Sequence, residues 1–273
     1  MNINLITDAK KHNLALMKIA AYHKNRGNQV WLNGVGCFDL TYGSWLFDFS
    51  PKGVCDIEGG PGINIETKLP NTFEACKPDY TLFNLDYSVG FTWAYCPRKC
   101  SFCIVPRQNN SKTHTSIWTF HDPKFKKICL LNNNTFSDPQ WKETFEEIWD
   151  ANLTVIDENG YDLRLIDEEK ADALKRTKFK GYIHYAWDQI DDSKKILRGL
   201  KLAPRGMVYV LTGYNTTFEE DLYRCQKIHD LKHDPYIMPY KRTKEGKKFK
   251  RFIDTRMYRK YKTIEMAWKE YKF

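Results

Sequence analysis

The chain has 273 residues, 42% of them hydrophobic and 15% aromatic, which is enough for a sizeable core in one large domain or a barrel-sized unit with small additions. No run of eighteen apolar residues occurs, so no membrane span is expected, and Met1 to Ile6 lacks the basic segment and long apolar stretch of a signal peptide. Net charge is +9, much of it between Lys241 and Lys272; a basic face suits a nucleic-acid partner, but a solvated surface carries the same charge, so charge alone decides little.

Residues Ile3 to Asp8 read as a buried strand ending at a helix N-cap. Residues 9 to 25 place Leu14, Met17, Ile19, Ala20 and Ala21 at roughly helical spacing. Gly27 closes that helix, and Gln29 to Leu32 start a second strand, giving a βαβ opening and a small parallel sheet. A third strand is expected in Ser44 to Phe49. Gly34-Val35-Gly36 follows the second strand and opens no clear helix, so it is no dinucleotide fingerprint. The Gly-rich stretch Glu58 to Asn64 lets backbone approach a neighbour or a ligand closely, or makes a tight connection.

From Asp79 the pattern becomes strand-then-helix. Tyr80 to Phe91 is β-like. Lys127 to Leu131 is a short buried strand, and Asp138-Pro139 cap a helix with Trp141, Phe145, Ile148 and Trp149 on one face. Tyr161 to Ile166 and Tyr182 to Asp188 read as further strands, each followed by a helix. Met207 to Thr212 is the most strand-like run; Thr217 and Glu220 then fit a capping box. Asp234 to Tyr240 supplies a last strand. Six strands in a βα series argue for a parallel barrel or part of one. Residues 241–273 form a basic tail in which Phe252, Met257 and Tyr261 have rough helical spacing.

Cys96, Cys100 and Cys103 lie at spacing C-x3-C-x2-C in the loop after the Tyr80 to Phe91 run. Three thiolates this close can turn toward one point. Structural zinc sites usually use two separated pairs, whereas three cysteines can hold an iron–sulfur cube and leave one iron open. A zinc loop completed by His114 or Cys129 is the alternative. A disulfide reading is weaker, because three clustered cysteines cannot all pair among themselves. The remaining cysteines are scattered, and with no export signal a reduced cytoplasm is the expected setting.

The motif, with Phe102 before its last cysteine and Ile104-Val105-Pro106 after it, resembles the signature of the radical S-adenosylmethionine (SAM) superfamily. The resemblance covers most of residues 79–240. It implies a partial parallel (β/α)6 barrel of radical SAM type, and a [4Fe-4S] cluster on Cys96, Cys100 and Cys103 with SAM on its open iron. It also implies reductive cleavage of SAM to a 5′-deoxyadenosyl radical, with a flavodoxin or ferredoxin as electron donor. Residues 1–78 resemble the small Rossmann-like, cobalamin-binding-type domain that precedes some of these barrels. Asp8 and His12 do not form its Asp-x-His-x-x-Gly motif, so that domain reads as vestigial or structural.

Ligands of parallel α/β folds gather beyond the carboxyl ends of the strands. There the resemblance assigns Phe102 beside the cluster, Asn132, Asn133 or Asn134 to the amino group of SAM, and Arg164 to its carboxylate. Leu211 to Glu219, with Gly213 and Asn215, resembles the stretch that supports the adenine; Asp188 and Met238 join the set from their places at strand ends alone. The implied activity is modification of RNA or protein. The rival from another class is a zinc-stabilised nucleic-acid-binding protein without catalysis.

Overall fold

Backbone contacts divide the chain into two units, residues 1–133 and 134–273. A computed structural model describes residues 1–108 and 110–271, so Lys272 and Phe273 of the basic stretch lie outside the described residues.

In the first unit, β1 (Asn2–Thr7) leads to α1 (Leu14–Lys24) and β2 (Gln29–Leu32). The Asn13 side chain caps α1 by accepting from Leu16 N, and Gly27 closes it at φ +75°. The next strands are β3 (Leu40–Ser44) and β4 (Ile57–Gly59), and all pair in parallel in the order β2-β1-β3-β4. The order therefore reverses between β1 and β3, where doubly wound sheets hold their ligands. Ile3 and Leu5 of β1 are wholly buried with Leu16, Ile19 and Ala20 of α1. Full burial contributes about 1.5–3 kcal/mol for each large aliphatic side chain.

The third strand lies earlier than expected. After Ser44 the chain bends because the Asp8 carboxylate accepts from Leu46 N (2.7 Å) and Phe47 N (3.0 Å). The Gly-rich turn packs against this bend: a Cβ on Gly62 would meet the Phe47 carbonyl oxygen at 2.5 Å, and Gly62 N donates to Trp45 O (2.8 Å). Its close neighbour is backbone, which accounts for the glycine.

A single helical turn, α2 (Asn71–Glu74), precedes β5 (Ser88–Gly90), which pairs in parallel with β6 (Lys127–Leu130). The β-like run from Tyr80 thus contributes only its end. The Asp79 carboxylate accepts from Thr81 N and Oγ1, starting a 3-10 turn over Thr81–Phe83, and Asn84 at φ 50° ends it.

The second unit opens with α3 (Trp141–Asp150), preceded by Gln140 rather than Asp138 at the cap; Asp138 Oδ1 instead accepts from Gln140 N (2.9 Å). Then come β7 (Thr154–Ile156), β8 (Tyr161–Asp162), α4 (Glu168–Arg176), β9 (Lys178–Phe179) and β10 (His184–Ala186). The series ends with α5 (Ser193–Leu202), β11 (Met207–Thr212), α6 (Phe218–Asp230) and β12 (Asp234–Pro239). β7 pairs with β9, and β8, β10, β11 and β12 form a parallel sheet in the order β12-β11-β10-β8. Two expected strands are shorter than read: β8 stops because Asp162 caps a 3-10 turn at Arg164 N, and only the middle of Tyr182 to Asp188 joins the sheet. Parallel strands alternating with helices agree with the expected α/β class. The capping box at Thr217 and Glu220 is present.

The basic stretch forms α7 (Lys244–Asp254), a 3-10 turn and α8 (Ile264–Glu270). Phe249, Phe252, Ile253, Tyr258, Ile264 and Ala267 bury into the core of the second unit. α7 also closes the edge of β12: Lys250 Nζ donates to Ile237 O (2.8 Å) and Asp254 Oδ1 accepts from Ile237 N (3.2 Å). An unpaired strand edge is thereby covered by a paired Lys and Asp.

Candidate functional site

Cys96, Cys100 and Cys103 sit half-buried on the loop that follows β5, and Cys103 N donates to Cys100 O (3.0 Å), folding the last four residues into a turn. Val105–Arg107 then form a 3-10 turn. A cavity of about 180 Å³ lies beside the loop, lined by Tyr95, Cys96, Arg98, Lys99, Val105 and Lys112 among others.

The start of the loop is fixed from the end of β6. Asn132 is buried, and its Oδ1 accepts from Thr92 N (2.9 Å) and Trp93 N (3.0 Å), while its Nδ2 donates to Thr92 Oγ1 (2.8 Å). Asn133 Nδ2 donates to Ala94 O (2.6 Å). These two amides stitch residues 92–94, two positions ahead of Cys96, to the next strand. Three adjacent asparagines in the sequence pointed to a ligand. In the structure Asn132 and Asn133 satisfy backbone groups that no ladder reaches.

Among the described residues, no group of three or more His, Cys, Asp or Glu side chains is gathered closely enough to hold a metal ion. The three thiols are therefore a donor set on one loop rather than a preformed triangle. By chemistry that set fits an iron–sulfur cluster, which thiolates hold. The zinc alternative is not favoured: Cys129 is 0% exposed, inside β6.

The first unit also encloses a cavity of about 680 Å³, lined by His12, Leu14, Tyr42, Ser44, Leu69 and Phe73 among others. It lies between α1 and the strands β3 and β4. Asn13 Nδ2 joins the two strand ends, donating to Ser44 Oγ (2.8 Å) and Thr7 Oγ1 (3.2 Å). His12 Nδ1 is 3.0 Å from the Tyr87 hydroxyl.

In the second unit, Arg164 forms a fork on Asp162, through Nε to Oδ1 (2.7 Å) and Nη2 to Oδ2 (3.0 Å), and Nη1 donates to Asp192 Oδ2 (2.6 Å). The bidentate carboxylate partner expected of it exists, but inside the protein. Asn134 Nδ2 donates to the same Asp162 (3.2 Å). Asp188, two residues beyond β10, is half-buried; burial pushes its carboxyl up to about 6, against the pull of Arg224 and Arg164.

Gly213 takes φ +70° and Asn215 φ 48°, so the chain after β11 turns through the left-handed region at both. Met238 is 45% exposed near the end of β12, paired in register with Leu211. A buried cation at the ends of β10 and β11 is a functional residue that the strand pattern does not reveal. Arg224 on α6 is 0% exposed; Nη1 donates to Trp187 O (2.6 Å) and Nη2 to Leu211 O (2.6 Å) and Asp221 Oδ1 (2.5 Å). Asp221 in turn accepts from Gly213 N (3.3 Å) and Thr216 Oγ1 (2.8 Å). One buried guanidinium thus ties together the carboxyl ends of β10 and β11 and, through Asp221, sets the Gly213 loop. The signal lay in Asp221, Cys225 and Ile228, an i, i+4, i+7 row that places an acid on the apolar face and so demands a cation beside it.

Parallel strands alternating with helices, with a three-cysteine loop after one strand, define an α/β class. The structure is similar to the radical S-adenosylmethionine methyltransferase TsrM from Kitasatospora setae, solved with cobalamin and a [4Fe-4S] cluster bound. The TM-score is 0.58 at 11% identity, and the match covers 87% of this chain and 74% of that one. At that identity the likeness is one of fold. No family model matches the chain, and no curated protein matches it.

Proposed function

We propose that the protein is a radical SAM enzyme whose Cys96, Cys100 and Cys103 hold a [4Fe-4S] cluster, its parallel strands arranged as a partial (β/α)6 barrel. The observation that carries this reading is the C-x3-C-x2-C loop leaving a parallel strand in a chain of this fold. When bound, the cluster supplies one electron to SAM, giving methionine and a 5′-deoxyadenosyl radical. The chain's own part is placement. Asn132 and Asn133 hold the approach to the cysteine loop, and Phe102 packs beside the cluster. The roles that the sequence assigns to Asn134, Arg164, Asp188, Gly213, Asn215 and Met238 in binding SAM belong to the same proposal, as does a one-electron donor such as a flavodoxin or ferredoxin. A reduced cytoplasmic setting goes with it.

TsrM was solved with cobalamin. For this chain we infer that residues 1–78 hold no histidine-ligated cobalamin, because His12 lacks the motif and its Nδ1 lies against Tyr87. Cobalamin spectra of the wild-type protein and His12→Ala should be identical; a His12-dependent base-off complex would contradict this.

The cluster is tested by anaerobic purification. Iron and sulfide near four each per chain, with broad visible absorbance, are expected of a [4Fe-4S] protein. Cys96→Ala, Cys100→Ala and Cys103→Ala should each lose that absorbance. Full iron in Cys100→Ala, or a colourless zinc protein, would overturn the assignment.

A further inference from the structure

We infer that the solvent face of α7, with Lys241 and Arg242 ahead of it, is a binding surface for single-stranded nucleic acid. Charge is the first observation. Residues 241–273 contain 13 Lys and Arg against 4 Asp and Glu, leaving 30 against 30 in residues 1–240. The whole net charge of +9 therefore resides in the last 33 residues.

Packing is the second, because it sorts these cations. Arg256 and Arg259 face the buried Asp234, Lys250 pairs with Asp254, and Lys248 lies over Trp268. Those four serve the fold. Lys241, Arg242, Lys244, Lys247 and Arg251 are exposed. Lys244, Lys247 and Arg251 fall at i, i+3 and i+7, one stripe about 10 Å long opposite the buried Phe249, Phe252 and Ile253. Of the acids of the helix, Asp254 ends the same row but pairs with Lys250, and Glu245 lies off it, lining a cavity of about 210 Å³ with Thr212, Gly213 and Asp221. Lys241 lines the same cavity, so the stripe begins at the carboxyl ends of β11 and β12, where such folds gather their ligands.

Chemistry chooses the partner. α7 spends its apolar face on the core, so it has none left to lay into a membrane. The stripe starts instead beside Tyr240, 48% exposed and edge-on to Tyr214 at 4.7 Å between ring centroids. A row of cations next to an exposed aromatic ring suits phosphates flanked by unstacked bases. Taken with the reading above, on which this last step rests, the nucleic acid is the substrate.

The test is fluorescence anisotropy on the full chain with labelled RNA and DNA oligonucleotides of one sequence, in unpaired and hairpin forms. Five phosphate contacts predict a slope of log affinity against log salt of about −3.5, or about a 100-fold loss between 50 and 200 mM. Lys244→Glu/Lys247→Glu/Arg251→Glu should lower affinity at least about tenfold and flatten the slope; the same three positions changed to Gln should do so more mildly. Lys194→Glu/Lys195→Glu/Arg198→Glu, at exposed positions of α5, makes the same change in net charge and should leave binding within about threefold. Equal losses in the two triple variants, with both folded by circular dichroism, would overturn the surface. So would binding to phosphatidylserine vesicles without binding to either oligonucleotide. Cleavage of SAM by the wild-type protein, measured in parallel, separates the two proposals: binding without cleavage keeps the surface and removes the enzyme.

Discussion

Two side chains at the strand ends of the second unit make opposite electrostatic predictions. Arg224 is wholly buried and shared by Trp187 O, Leu211 O and Asp221. Arg224→Ala takes a donor from two carbonyls and the countercharge from a buried carboxylate, and should cost about 3–5 kcal/mol in urea unfolding. A loss under about 1 kcal/mol would mean that water replaces the guanidinium. Asp188 is the reverse case, since burial raises its carboxyl to about 6 and favours the protonated form. A raised folded-state value stabilises below the unfolded carboxylate range and loses that contribution as pH rises through about 6. Stability measured from pH 4 to 7 should therefore decline less steeply in Asp188→Asn than in the wild-type protein; an unchanged slope would show that Asp188 ionises as an ordinary surface acid.

At the scale of elements, the prediction concerns the stitch between β6 and the cysteine loop. Asn132→Ala removes three hydrogen bonds within one buried cluster, leaving Thr92 N and Trp93 N without their acceptor. A loss of about 1–3 kcal/mol is expected, together with faster bleaching of the reconstituted cluster in air. Unchanged bleaching would detach the asparagine from the loop. Much of this level was legible in the sequence. β2 and β11 run over the residues read for them, and the capping box at Thr217 is formed, because alternation and capping are local signals. The errors came where a side chain captured backbone that the pattern gave to a strand: Asp8 at Leu46, Asp79 at Thr81, Asp162 at Arg164. β7 is not legible in Leu153-Thr154-Val155-Ile156, although the run is β-branched, because three residues are fewer than the four to eight over which alternation marks a strand. For the candidate site, the cysteines and the glycine turn were readable from residue type and spacing. Arg224 was not, since its role depends on carbonyls from two strands far away in sequence.

For the whole molecule, acid stability and chemistry supply the remaining tests. Asp234, 1% exposed, works against its burial through Arg259, Arg256 and Arg205, which hold its carboxyl below the usual range. A lowered value stabilises above the unfolded carboxylate range and is lost as pH falls through the folded one. The protein should therefore lose stability steeply below about pH 4, and Arg259→Ala should move that loss to higher pH. An acid transition unaffected by Arg259→Ala would show that the cluster of three arginines does not anchor the C-terminal helices. The central claim is that three thiols leave one iron open to a chelating SAM. The anaerobic, reconstituted and reduced protein should convert SAM to 5′-deoxyadenosine and methionine in equal amounts by mass spectrometry, slowly without substrate, and Cys100→Ala should form neither. A fully loaded, reduced cluster that neither binds SAM by calorimetry nor yields 5′-deoxyadenosine would contradict the account.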